Sequence, residues 1–179
     1  MCRMIRDLAT LNQFLIALVS NPEMFRPSCC DSCGRSGLWF HGVYHRKNGR
    51  SLDALDRRDP IPIPRFLCPH CGVTCSRLPE FLSPRRWYPW CRQAEVLLLI
   101  LAGISDRQVS LQVKISRQTI ARWWRWLDES GTLFMFHLRS LFPSLGRLSE
   151  DAAFWRQTMR SPGFAHAMGA ICRQGVSVP

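Results

Sequence analysis

Two short stretches carry the same arrangement of thiols. Cys30-x-x-Cys33-Gly34 and Cys68-x-x-Cys71-Gly72 repeat one form. Two residues between cysteines let a tight turn aim both sulfurs at one ion, with Zn–S near ~2.3 Å. A glycine just past the second cysteine can take positive φ, so the backbone curls and its N–H groups can point at the sulfurs. Four thiolates from Cys30, Cys33, Cys68 and Cys71 fill a tetrahedron and leave no open position. The expected cofactor is therefore a structural Zn²⁺ rather than a catalytic one. A disulfide framework would need an oxidising compartment. Buried free cysteines are common, but that reading leaves the matched spacing unexplained. Three neighbours stay open as replacement ligands: Cys29 for Cys30, Cys75 for Cys71, and His41 for one cysteine. Cys2, Cys91 and Cys172 have no spaced partner.

A second group of residues suits a different chemistry. Ser116, Arg117, Gln118, Thr119, Arg122 and Arg125 fall on the outward side of one predicted helix. Arg and Gln bond base edges bidentately in a major groove, and Ser and Thr reach phosphate or base. A helix opening at Ser116 would also offer backbone N–H groups to a phosphate. Trp123 belongs to the core of such a unit. Trp124 and Trp126 cannot both share its face, so one is left to meet a partner.

The elements that position these residues can be read from pattern. Cys33 and Cys68 are separated by 34 residues, so a hairpin must bring the pairs together. Residues 38–46 alternate like a strand, residues 47–50 (KNGR) supply a turn, and residues 61–68 (IPIPRFLC) return. Pro62 and Pro64 cannot donate ladder bonds, which predicts an edge strand. Leu8, Leu11, Leu15 and Leu18 recur at helical spacing before Asn21–Pro22. Pro84 and Pro89 flank a basic-aromatic linker. Residues 91–130 then parse as three helices: about 92–102, stopped by Gly103; one capped by Ser105 or Asp106, reaching about 113; and one capped by Ser116, reaching about 127. The last two, joined by a short turn at Lys114–Ile115, form a helix-turn-helix. Val109, Val113, Ile115, Ile120, Trp123 and Leu127 would close a small core with Leu97, Leu98 and Leu101. Residues 132–142 and 150–160 read as further helices, and the tail from residue 161 as loosely ordered.

The expected fold class is α+β. An N-terminal amphipathic helix (1–27) precedes a small zinc-ribbon-like β domain (28–84). A helix-turn-helix domain (91–130) and a helical C-terminal extension (131–179) follow.

The totals narrow the function. The chain has 179 residues and a formal net charge of +11, which favours an anionic partner. Residues 94–104 are about half of the ~20 apolar residues a spanning helix needs, so no membrane partner is expected. The N-terminus does not read as a signal peptide, because Asp7 interrupts the basic run of Arg3 and Arg6 and no cleavage site follows. The expected location is the cytoplasm, where metal-free cysteines stay reduced. An enzymatic role is not expected. Two-metal transposase chemistry needs acidic residues from separate elements, and after residue 130 the acidic residues are Glu150 and Asp151, side by side. Asp128 and Glu129 read as a solvated helix end, and Asp53, Asp56, Asp59 and Glu80 as scattered in loops.

Taken together, the CxxCG pair, "HGxYxR", "IPRFLCPHCGVTCSRLPEFLSPRRWY" and "GIS…ISRQTIARW" resemble an uncharacterised bacterial family associated with insertion sequences. That family combines a zinc ribbon with a helix-turn-helix and is transposase-like. The resemblance covers roughly residues 28–130. It implies a structural zinc on Cys30, Cys33, Cys68 and Cys71, and groove contacts from residues 116–122. It also implies double-stranded DNA as partner, at element ends, with a transposase or a second copy of the chain as protein partner. Lys114 stands where the turn usually has glycine, and Ser110 where a small alanine is usual. A different class of function remains beside it: a zinc-stabilised adaptor whose basic faces meet a protein or RNA.

Overall fold

The computed structural model describes residues 4, 5, 8, 10–47, 60–83, 88–176 and 178. The expected turn at residues 48–50, Pro84 with the linker residues 85–87, and Cys2, Arg3, Arg6, Asp7, Asp53, Asp56 and Asp59 lie outside them. The chain is mixed α and β, with the strands and one helix toward the N-terminus and the other described α-helices from residue 90 on.

The N-terminal region packs a helix against a small sheet. Strand β1 (Met4–Ile5) is followed by α1 (Leu11–Ser20). Thr10 opens α1 with a capping box, its hydroxyl accepting from Gln13 N–H while the Gln13 side chain accepts from Thr10 N–H. Asn21 ends the helix, and Pro22 starts a single tight turn. Leu8, Leu11 and Phe14 are buried with Phe25, Leu38, Ile61, Ile63, Phe66 and Leu82 in one core. Three strands carry the sheet: β2 (Trp39–Arg46), β3 (Ile61–Leu67) and β4 (Thr74–Cys75), in the order β2-β3-β4. β3 is thus the middle strand, where an edge strand was expected. The prolines explain the compromise. Pro62 and Pro64 pair only with β2, opposite His45 and Val43, and β4 adds a second neighbour only at Phe66 and Leu67. A bulge between Phe40 and Val43 shifts the register at Gly42, whose φ is +96°. Strand β5 (Leu78–Pro79) pairs in parallel with β1.

The C-terminal region is a second core built by helices. These are α2 (Trp90–Leu101), α3 (Asp106–Val113), α4 (Arg117–Leu141), α5 (Asp151–Thr158) and α6 (Phe164–Arg173). Ser105 caps α3 and Ser116 caps α4, each hydroxyl accepting from an N–H three residues on. Val109, Val113, Ile115, Ile120, Trp123, Leu127 and Leu97 are buried together, with Leu98 and Leu101 half-buried against them.

Two helical expectations fail. The helix opening at Arg117 does not stop near residue 127 but runs to Leu141, so no break falls at 130–131. Its buried residues Ile120, Trp123, Leu127, Gly131, Phe134 and Leu138 form one stripe at three- and four-residue spacing. Gly131 costs only about 1 kcal/mol in a helix and lies against Trp155, where a Cβ would make an ordinary contact at 3.8 Å from the indole nitrogen. Asp128 and Glu129 are therefore exposed mid-helix residues, not a terminus. Nor is the tail loose. Phe164, Ala167, Met168 and Ile171 recur at helical spacing and bury α6 in the core. Among the described residues, no helix is long and apolar enough to cross a membrane.

A candidate metal centre and an exposed basic helix

The two cysteine stretches fold into matching knuckles. Cys30 N–H donates to the Arg35 carbonyl at 2.8 Å, and Cys68 N–H to the Val73 carbonyl at 3.0 Å. Gly34 N–H donates to the Cys30 carbonyl and Gly72 N–H to the Cys68 carbonyl, both at 2.9 Å. Gly34 and Gly72 hold φ of +72° and +71°, the left-handed region a side chain would resist. The sheet brings the knuckles together, since β2 starts just after the first and β3 enters the second.

The sulfurs of Cys30, Cys33, Cys68 and Cys71 all lie within 4.8 Å of one another. Cys30 and Cys71 are 3.6 Å apart, as are Cys33 and Cys68. A tetrahedron with ~2.3 Å metal–sulfur bonds has edges of about 3.8 Å, so the spacing fits a metal ion. A disulfide needs about 2.05 Å, and these cysteines are free thiols. Cys30 and Cys68 are buried while Cys33 and Cys71 are exposed.

The thiols are not equivalent. N–H groups of Cys33 and Ser32 point at the Cys30 sulfur and lower its pKa to about 6. Burial opposes the shift at Cys68, but the N–H groups of Cys71 and His70 outweigh it and lower that thiol too. Cys71 receives the Val73 N–H, which lowers it, yet burial and three neighbouring thiols push it up to about 12. Crowded thiols hinder each other's ionisation, and a cation among them removes that conflict.

The spare ligands fall outside this group. Cys75 is buried beside Cys30 and Asp31, and burial raises its pKa. Register places it opposite Phe66 in β4. Cys29 is half-buried, and His41 is exposed on β2. Neither they nor Cys75 joins the four sulfurs.

The basic residues predicted on the third helix lie on the first turns of α4. Arg117, Gln118, Arg122 and Arg125 are exposed and Thr119 half-buried, while Ile120, Trp123 and Leu127 face the core. Gln118, Ala121, Arg122 and Arg125 make one exposed stripe, with spacing of three, four and seven. Arg117 contacts Asp106 of α3 at 3.2 Å. Trp126 packs on Phe134 and Phe164, while Trp124 stays 38% exposed.

Other residues support the turn after α3 and the helix ends, and of these the two arginines were missed by pattern reading. Lys114 is left-handed (φ 55°, ψ 39°). Ser110 donates its hydroxyl to the Ile115 carbonyl at 2.6 Å, which closes the turn. Arg92 of α2 donates to the Val113 carbonyl at 3.1 Å, and Arg156 of α5 to the Leu101 carbonyl at 2.7 Å. Both satisfy helix-end carbonyls. These partners are 21 and 55 residues apart, and local pattern does not reach that far.

No curated protein and no solved structure matches the chain. A domain family of unknown function (DUF6431) matches residues 30–123, from the first cysteine of the cluster to Trp123 on α4. More than half of the sequence is covered, and the chain belongs to that family.

Proposed function

We propose that the chain is a double-stranded-DNA-binding protein with a structural zinc ribbon and a helix-turn-helix formed by α3 and α4. The observation that carries this reading is the exposed stripe of Gln118, Ala121, Arg122 and Arg125 on a helix whose opposite side is buried. Alanine at the centre of the stripe permits close approach, and the flanking Arg and Gln suit base edges and phosphates. Arg117 already contacts Asp106, so DNA must compete for it. Arg122 is accordingly the stronger contact. The zinc assignment rests on four sulfurs at tetrahedral spacing, all supplied by cysteine. A four-thiolate site is closed, so the ion acts on folding rather than on a substrate. A link to transposition rests on the sequence resemblance, and reduced thiols suit the cytoplasm.

Binding to a random duplex pool across a salt series tests the reading. The logarithm of affinity should fall by about 0.9 per phosphate contact for each decade of salt. Arg122→Ala should reduce that slope by about one contact. Duplex binding that ignores both salt and Arg122 sinks the proposal.

One observation favours an adaptor role instead. Leu133 and Phe136 on the second half of α4 are 50% and 70% exposed. A neighbouring apolar pair of that kind suits a protein partner. Leu133→Glu with Phe136→Glu separates the readings, since an adaptor loses its partner while duplex binding by the first half of α4 persists.

A further inference from the structure

We infer that the sheet face around Trp39 binds single-stranded DNA by stacking an unpaired base on the indole. The register of the three strands defines this face. Trp39 lies opposite Leu67, and Leu67 lies opposite Thr74, so these three form one row. Arg65, two residues before Leu67, stays on the same face, and its guanidinium sits 5.1 Å from the Tyr44 ring centre. Toward Ile61 and Ile63 the face is covered by the core. At the other end it is open: Trp39 is 63% exposed, and Thr74 is exposed.

Charge selects the occupant. Arg35, 3.2 Å from the His70 ring nitrogen, precedes the strand by four residues, and Arg65 lies on the face itself. The acidic groups described in this region are engaged elsewhere. Glu23 is held by Arg26, Glu80 is buried against α6, and Asp31 sits against Cys75, which alternation along β4 places on the other face. An exposed indole bordered by cations is the arrangement that holds a base and its phosphate without regard to sequence. A duplex keeps its bases stacked inside and offers none to Trp39, so the occupant is the unpaired strand. The site does not depend on α4, and the two fail separately.

The test uses the full, zinc-loaded chain and a fluorescein-labelled oligothymidylate of about 15 nucleotides, followed by anisotropy. Salt-dependent binding is expected. Trp39→Ala should weaken it at least about fivefold, because one base–aromatic stack is worth that much. Trp39→Phe should retain most of the affinity. Thr74→Glu adds a negative charge at an exposed position and should weaken binding without touching the core, which keeps the test decisive if Trp39→Ala fails to hold its metal. Duplex affinity should be unchanged in all three, while Arg122→Ala should spare the oligothymidylate. The inference is overturned if the wild-type chain does not bind the single strand, or if Thr74→Glu binds it as wild type does. It is also overturned if Arg122→Ala costs single-strand binding as much as Thr74→Glu.

Discussion

Glu80 and Arg173, 93 residues apart, meet at 3.1 Å and join the turn after β5 to the last helix. The second carboxylate oxygen of Glu80 contacts His166 Nδ1 at 3.1 Å. Glu80 is 4% exposed, and its surroundings are tight. A Cβ on Gly169 would come within 2.3 Å of its carboxylate oxygen and 3.1 Å of its Cγ and Cδ. Removing one partner of a buried pair strands the other charge, which costs about 3–5 kcal/mol. Glu80→Ala should lower stability by an amount near the bottom of that range, because Arg173 keeps some solvent. Gly169→Ala should cost about 1–3 kcal/mol by overpacking. Urea denaturation of both variants checks this, and a neutral Gly169→Ala would show that Glu80 moves freely.

The two cores should respond differently to loss of the metal. Cys30, Cys68 and Cys75 belong to the N-terminal core with Phe14, Phe25 and Phe66. The helical core is a separate cluster, joined by Met4 from β1. Structural zinc supplies about 10–16 kcal/mol of apparent binding energy, more than so small a core holds by itself. Chelation, or Cys71→Ser, should therefore expose amides of residues 28–47 and 60–79 while those of α4 stay protected. Hydrogen exchange read by mass spectrometry distinguishes this from uniform loss, and one zinc retained per chain in Cys71→Ser would remove that cysteine from the ligand set.

Metal affinity should depend on pH in a direction set by the thiols. Cys71, pushed up to about 12, carries its proton at neutral pH in the metal-free chain. Cys30, lowered to about 6, is already largely a thiolate there. Binding must displace the Cys71 proton, so affinity rises with pH by at least about tenfold per unit between pH 7 and 9. Below about pH 6 Cys30 also takes up a proton, and the dependence steepens. Competition against a chromophoric chelator measures the slope. A slope below one proton at pH 8 contradicts the raised Cys71.

Much of this arrangement was legible because it is local. The knuckles are contained in CxxCG, whose glycine announces its positive φ. Ser105 and Ser116 announce helix starts by their position before apolar periodicity. The errors came from stopping a pattern too early. The stripe of Ile120, Trp123 and Leu127 continues through Gly131 to Leu138, past the expected end near residue 127. In residues 164–171 the spacing of Phe164, Ala167, Met168 and Ile171 is as regular as in α2. What could not be read is non-local: the middle position of β3, the clamp of Glu80 on α6, and the arginines that finish distant helices.

Lys114 links this legibility to a stability test. The usual glycine of such a turn is missing, yet the backbone takes the left-handed conformation all the same, at φ 55° and ψ 39°. An L-residue pays about 1–2 kcal/mol there. Glycine removes that strain but loses more backbone freedom on folding, so the net gain from Lys114→Gly is about 0.5–1 kcal/mol. For a chain of this size the melting midpoint should rise by about 1–4 °C. Lys114 is exposed, and no core packing is lost with its side chain. The same variant reports on DNA. If the Lys114 ammonium neutralises a phosphate, the salt slope drops by about 0.9 while the fold is strengthened. A variant that is more stable and binds duplex with an unchanged slope places Lys114 outside the interface. A lower midpoint contradicts the strain itself and points to a contact of the lysine stem that holds α3 to α4.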